Sequence, residues 1–357
     1  MKTKSKNIIF YIFLLLSLLS FEIILYEDRL LPNLDTLHGF RSMKNFLIFG
    51  KPFSEFYSGM VYKWDNYDLF NYSSVYFDSK IFNLFKLTIS LENFINYHTI
   101  LKLLIVIILI TVFRLIFNSY NYALLATIIT ILDASFSHLL HNSHHYFILF
   151  SLITFALIYF KLPKNLYLRS YLIGFFFVTG CLTIVVTGII WGINFIILVV
   201  FFYYRKIIDL AQFILIIMGC LSPLSLYIFT NFAEILDLID NRNFEISDLN
   251  YFYYTIKYSL LTLYNLAFGQ HGNSILTLLI FLLYFNRNLL KSKIDQKLSK
   301  ILLFSFCFFI ILGSLINPLN YYSSRLGILT PILVYLIFKI YSQNYKSYNF
   351  FLNKQNY

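Results

Sequence analysis

Apolar residues run along this chain in long unbroken stretches, and polar residues form short interruptions between them. Stretches near 8–25, 97–117, 121–138, 146–160, 170–187, 188–204, 207–230, 274–286, 301–317 and 326–341 carry few or no charges. A helix needs about 20 mainly apolar residues to cross the hydrocarbon layer of a bilayer. The pattern predicts an all-α, polytopic transmembrane bundle of about ten spans, a single transmembrane domain over residues 1–357. Tyr and Phe at many of the stretch ends suit the membrane interface, where an amphipathic ring is at home. The pair 170–204 has no charged break, so the pattern does not locate its turn. Lys2, Lys4 and Lys6 precede the first stretch, which continues through Glu22 to Tyr26 without a small-residue cleavage site. A retained anchor is expected there in place of a cleaved signal.

Composition agrees with lipid as the solvent. Of 357 residues, 59% are hydrophobic and 13% charged, against about 25% charged in a soluble domain. Those proportions exclude a disordered chain, a disulfide scaffold and an ordinary cytosolic enzyme. Cys181, Cys220 and Cys307 all lie inside apolar stretches and read as small packing residues.

The net charge of +11 records topology. With the N-terminus cytoplasmic, seventeen of the 28 basic residues fall on inner segments, where only Asp209 and Asp295 are acidic. The outer loop 26–96 balances seven basic residues against eight acidic ones. Loop 231–252 sets Arg242 against Glu234, Asp237, Asp240, Glu245 and Asp248. The expected location is an integral plasma (inner) membrane with both termini cytoplasmic. Membrane lipid is an expected partner and nucleic acid is not. The aromatic stretch 251–268 is placed outside, making 231–270 an outer segment pressed on the surface; if it spanned, the basic run Arg287–Lys300 would be exported.

The largest polar region follows the first span as 71 residues facing outward. Within it, Phe40, Met43, Phe46 and Leu47 share a side at helical spacing, and Gly50 then Pro52 is a stop signal. Asp35 thus opens a short amphipathic helix lying on the outer leaflet.

The run from Asp35 through Asn45 to Gly50-Lys51-Pro52 resembles, in order and spacing, the integral-membrane glycosyltransferases of the C superfamily, which include protein O-mannosyltransferases and lipid A aminoarabinose transferases. Asp35-Thr36 stands where many members carry Asp-Glu. The stretch Tyr120–Ala123 through Ser135-Phe136 to His145–Leu149 is similar to that family's central helix pair. Tyr321–Arg325, leading to Pro331, is similar to the arginine that begins its last spans.

The resemblance implies a membrane glycosyltransferase that moves a sugar from a polyprenyl-phosphate donor to an acceptor at the outer face of the cell envelope. Such transfer needs a base for the acceptor's proton and cations for the departing phosphate. Asp35 is the candidate base or acceptor-orienting group; as a helix-opening Asp it also reads as an N-cap. Arg325 is the candidate phosphate clamp, or a headgroup anchor. Lys102, a turn inside the second span, could support it or snorkel to the interface. Asp133 is the second candidate catalytic carboxylate: it lies inside the third span toward the outer side, where a carboxylate is expensive, and either faces the same cavity as Asp35 or is a paired structural Asp. Glu22 carries a weaker form of that argument, and Glu27-Asp28 is an alternative acid pair.

Four of the seven histidines fall in Ser137–His145. If the helix persists, His138, His141 and His145 share a face, and His141 and His145 are candidate phosphate contacts. His141-x-x-His144-His145 also matches one box of di-iron desaturases, but those need several boxes, and the remaining histidines are scattered. Asp65-x-x-Asp68 and Asp237-x-x-Asp240 each put two carboxylates one turn apart, enough to hold a divalent cation or simply to be solvated. Two other functions fit the span pattern. One is a transporter or flippase of lipid-linked or small polar substrates, which internal symmetry would favour. The other is an envelope polysaccharide polymerase, whose large loop usually comes late in the chain.

Asp35→Asn is expected to abolish sugar transfer and leave membrane insertion unchanged. Full activity of the purified variant with polyprenyl-phosphate sugars would reduce Asp35 to a helix cap.

Overall fold

A computed structural model describes residues 8–18, 34–52, 72–141, 144–241, 253, 256–257, 260–261, 275–316 and 322–352. Among the described residues 88% are helical and none is in a strand, as an all-α protein requires. In chain order the helices are α1 (Ile8–Leu18), α2 (Leu34–Phe49), α3 (Tyr72–Leu84), α4 (Leu91–Phe117), α5 (Tyr120–Leu132), α6 (Ala134–His141) and α7 (His145–Phe160). They continue with α8 (Leu166–Leu182), α9 (Val185–Tyr204), α10 (Leu210–Thr230), α11 (Phe232–Asn241), α12 (Ile275–Asn286), α13 (Lys293–Ile316) and α14 (Thr330–Leu352), with 3-10 turns at Arg287–Leu289 and Tyr322–Leu329.

Two of these, α4 and α10, are long and apolar enough to cross a membrane on their own. Seven shorter apolar segments accompany them, among them α5, α7, α8 and α12.

Local signals explain the boundaries. The helix expected from Asp35 forms as α2 and ends where Gly50 turns to a φ of +73°, its amide donating to Phe46 O at 2.9 Å; Gly takes that left-handed backbone without a Cβ clash. Helix α4 starts six residues before the predicted 97, inside what reads as outer loop, because the Ser90 hydroxyl accepts from the Asn93 amide at 3.2 Å and starts the helix early. The unbroken run 170–204 turns at Thr183-Ile184, with the Thr183 amide donating back to Gly180 O. Asp209 opens α10 with a reciprocal pair, its carboxylate accepting from the Gln212 amide and its own amide donating to the Gln212 side chain. Helix α14 continues to Leu352, past the end of the last predicted stretch at 341. Most of the segment 251–268 lies outside the described residues.

The helices cluster into two compact units: Met1–Leu18, Val106–Leu139 and Phe252–Tyr357, and Leu19–Ile105 and Leu140–Tyr251. In the first, α5 and α12 pack on α14. The run 121–138, predicted as one span, is broken at Asp133, which ends α5 with an extended ψ of 117° and starts α6. The Asp133 side chain accepts from the amide of Phe136 at 2.9 Å, the amide of Leu276 at 2.8 Å and the hydroxyl of Thr330 at 2.8 Å. Those donors belong to the first turns of α6, α12 and α14, whose positive dipole ends favour an anion. Gly327 lies against the Ser135-Phe136 backbone, where a Cβ would overlap main-chain atoms.

In the second unit, α8 packs on α7, α9 and α10. The α8–α10 pair meets backbone to backbone through glycines: a Cβ on Gly174 would overlap the Ile216 carbonyl oxygen, and one on Gly219 the Tyr171 carbonyl oxygen. Small residues that let two helices approach this closely are how apolar helices associate without a hydrophobic driving force. Helices α2 and α3 pack together over one end of the unit. Their rings meet the starts of α4 and α7, with Phe40 5.8 Å from Phe94 and Phe77 5.2 Å from Tyr146. They also meet the ends of α8 and α10: Ser74 donates to Thr183 O at 2.9 Å, and Tyr72 lies edge-on to Tyr227. Lys51 reaches Glu234 on α11 at 3.4 Å. The opposite ends hold Lys161, Lys164, Arg169, Arg205 and Lys206.

Gly219→Ala is expected to lower the stability of the purified protein by about 1–3 kcal/mol through overpacking, measured as a drop in thermal midpoint. Gly192→Ala, where a Cβ meets nothing within 4 Å, is the neutral control.

Candidate functional site

Helix α3 buries one stripe, Ser74, Val75, Asp78, Ser79 and Phe82. Four of these would suit a helix lying on an apolar floor; Asp78, only 3% exposed, would not unless its charge is met. Two side chains from other helices reach it, and a third joins through one of them. Tyr146, in the first turn of α7, donates its hydroxyl to Asp78 Oδ1 at 2.7 Å. Tyr97 of α4 hydrogen-bonds that hydroxyl in turn. His98, the next residue of α4, brings Nε2 to 3.4 Å from Asp78 Oδ2. The other His98 nitrogen, Nδ1, lies 3.1 Å from Nδ1 of His145. Lys102, one turn further along α4, is 5% exposed.

An apolar wall encloses this polar core. Phe94 lies 4.3 Å from the His98 ring, Phe82 lies edge-on to Tyr97, and Met43, Val75 and Phe94 are fully buried. Helix α2 closes it: a Cβ on Gly39 would touch the Phe94 ring at 3.4 Å, and His38 and Ser42 are buried on the same helix.

The residues singled out in the sequence distribute as follows. Lys102 and His145 belong to this cluster's helices, and His145 is a member through His98. Asp133 belongs to the other unit and caps helices there. Asp35 is the second residue of α2, His141 the last of α6, and Arg325 lies in the 3-10 turn Tyr322–Leu329; the side chains of all three lie outside the described residues. The helix does not persist from His138 to His145, since α6 ends at His141 and α7 begins at His145. Asp65 and Asp68 lie outside the described residues, as do the side chains of Asp237 and Asp240 on α11. Among the described residues no group of three or more His, Cys, Asp or Glu side chains is arranged to hold a metal ion.

Sequence reasoning passed over Asp78, Tyr97, His98 and Tyr146. A signal for Asp78 was there: a carboxylate on the apolar stripe of an amphipathic helix implies a buried partner on the surface it covers. His98 and His145 are 47 residues apart, and nothing in their spacing announces the pair.

Comparison with protein families, curated proteins and solved structures finds no match to this chain.

Asp133→Ala is expected to destabilise the protein by about 1–3 kcal/mol for each buried donor left without an acceptor. Asp133→Asn, which keeps one carbonyl oxygen, is expected to lose less. Equal thermal midpoints for the two variants would show that the capping interactions carry little stability.

Proposed function

We propose that this chain is a multi-pass membrane glycosyltransferase that takes a sugar from a polyprenyl-phosphate donor and gives it to an acceptor at the outer face. The observation that carries the reading is the polar cluster beneath α2 and α3. These two helices come from the polar region after the first apolar segment; α3 brings Asp78, and the pair folds over the helix ends that carry His98, Lys102 and His145.

Lipid as the solvent is supported by the apolar side chains that α4 and α10 expose, such as Ile100, Leu103, Ile107, Met218, Leu221 and Phe229. The topology has a matching argument. The basic residues of the α7–α8 and α9–α10 turns gather at the end of their unit away from α2 and α3, as a cytoplasmic side would have them. On this reading α2 and α3 lie at the outer interface, and the cluster sits at headgroup depth, where a lipid phosphate resides.

The chemistry follows from the residue types. Lys102 is a point charge for the donor phosphate, and His145 a second contact to it. Asp35, at the start of the covering helix, serves as base or orienting group for the acceptor hydroxyl. Asp133 accepts from three donors at helix starts, which suits a structural joint of its own unit.

The test is transfer of a radiolabelled sugar from polyprenyl phosphate by the purified protein in nanodiscs. Lys102→Ala is expected to raise KM for the donor by about 10–100-fold, the loss of one charge-assisted contact, with Lys102→Arg recovering part of it. A wild-type protein that neither binds polyprenyl phosphate nor transfers sugar, yet moves a lipid-linked substrate between leaflets, would replace this reading with that of a flippase.

A further inference from the structure

Helices α8 and α10 run parallel. Gly174 of α8 lies against Ile216 and Cys220, and Gly219 of α10 lies against Tyr171 and Phe175. Tyr171 also donates to Ser222 Oγ at 3.0 Å, and further along both helices Leu182 packs with Tyr227 and Leu224. Residue numbers climb together on the two helices, so both begin at the same end. Helix α8 starts eight residues before Gly174 and α10 nine residues before Gly219. The rise per residue puts these starts about 12 and about 14 Å from the crossing. The turns that lead into them therefore sit side by side at one depth.

Those two turns are built alike. After α7, Lys161 takes a left-handed φ of +54°, and Asn165 caps α8 by accepting from the Tyr167 and Leu168 amides. After α9, Lys206 takes a φ of +53°, and Asp209 caps α10. Lys161, Lys164, Arg205 and Lys206 are all exposed on the turns. Arg169, in the first turn of α8, donates to Lys161 O at 2.8 Å, and the Arg205 guanidinium lies 5.4 Å over the Phe201 ring. Asp209 is the only carboxylate between residues 161 and 210, and it is taken up by the Gln212 amide at 2.7 Å. Tyr167, Tyr203 and Tyr204 are exposed beside the turns, as rings at a membrane interface are. Leu162, Leu166, Ile207 and Leu210 expose apolar surface among them. Cations beside exposed alkyl groups match a molecule that is anionic at one end and hydrocarbon at the other.

We infer that the paired turns bind the phosphate headgroup of an anionic glycerophospholipid, reached by Lys161 and Lys164 from one turn and by Arg205 and Lys206 from the other. Its acyl chains lie along the exposed apolar flank of α8 and α10. A single basic loop gathers a diffuse cloud of such headgroups. Two basic turns held in register by the glycine crossing converge on one phosphate. The inference needs α8 and α10 to lie in a bilayer and is independent of sugar transfer.

The test is native mass spectrometry of the full-length protein, with phosphatidylglycerol or phosphatidylcholine titrated in. One phosphatidylglycerol is expected to stay bound in preference to phosphatidylcholine. The double variant Lys161→Asn, Lys206→Asn removes two charges and keeps the left-handed turns, which Asn tolerates. It is expected to weaken phosphatidylglycerol binding about 30-fold, roughly fivefold for each basic residue removed. Lys161→Arg with Lys206→Arg should bind as the wild type does. Lys297→Gln with Lys300→Gln, which removes the same charge from α13 of the other unit, should leave binding unchanged. A wild type indifferent between the two lipids overturns the site, and so does undiminished binding by the Asn variant. Equal losses in the Asn and Gln variants overturn it by showing a diffuse field. Glycerol phosphate that binds as tightly as the lipid overturns it by assigning the turns to a soluble anion.

Discussion

A carboxylate in an apolar interior must be surrounded by donors, and this requirement organises both units of the protein. An isolated ionised carboxylate out of water would cost tens of kcal/mol, so a chain that buries one must build its neighbourhood around it. Asp133 draws the first turns of three helices onto its oxygens: an amide from α6, an amide from α12 and a hydroxyl from α14. Asp78 draws a tyrosine from α7 and an imidazole from α4. In each case the group costliest to bury is the one that specifies which helices meet.

The two solutions differ in chemical consequence. Asp133 is met by backbone amides and a hydroxyl, groups that do not ionise at neutral pH, and the result joins three helix starts. Asp78 is met by side chains that can move protons, and its partner His98 touches a second imidazole. The apolar wall of Phe94, Phe82 and Met43 strengthens every electrostatic contact inside it by excluding water.

The glycine-lined approach of α8 to α10 belongs to the same economy of packing. Those helices bring few polar groups to their contact, so close van der Waals fit is what associates them, and Gly174 and Gly219 permit it. The pair supplies a firm base against which α3 is tied, by Ser74 to the end of α8 and by Tyr72 to the end of α10. The helix that carries Asp78 is thus held from both sides.

Helical class was legible in the sequence because period and length are local properties. The apolar stretches became helices, the Asp35–Gly50 pattern became α2, and Gly50 stopped it as its left-handed preference demands. The break at Asp133, the early start of α4 at Leu91 and the turn at Thr183 were not legible, since each depends on which hydrogen bonds a particular backbone group finds. The candidate site divides the same way. Lys102 and His145 stood out as polar residues in apolar surroundings, which a sequence displays. Asp78 and His98 acquired meaning only from the fold, because a carboxylate on α3 and an imidazole on α4 become partners through the path of the chain. By itself the sequence determined that this protein is helical and rich in apolar surface, since hydrophobic spacing fixes both. Tertiary structure alone decided which donors meet each buried carboxylate, because that depends on the groups brought to it across the fold.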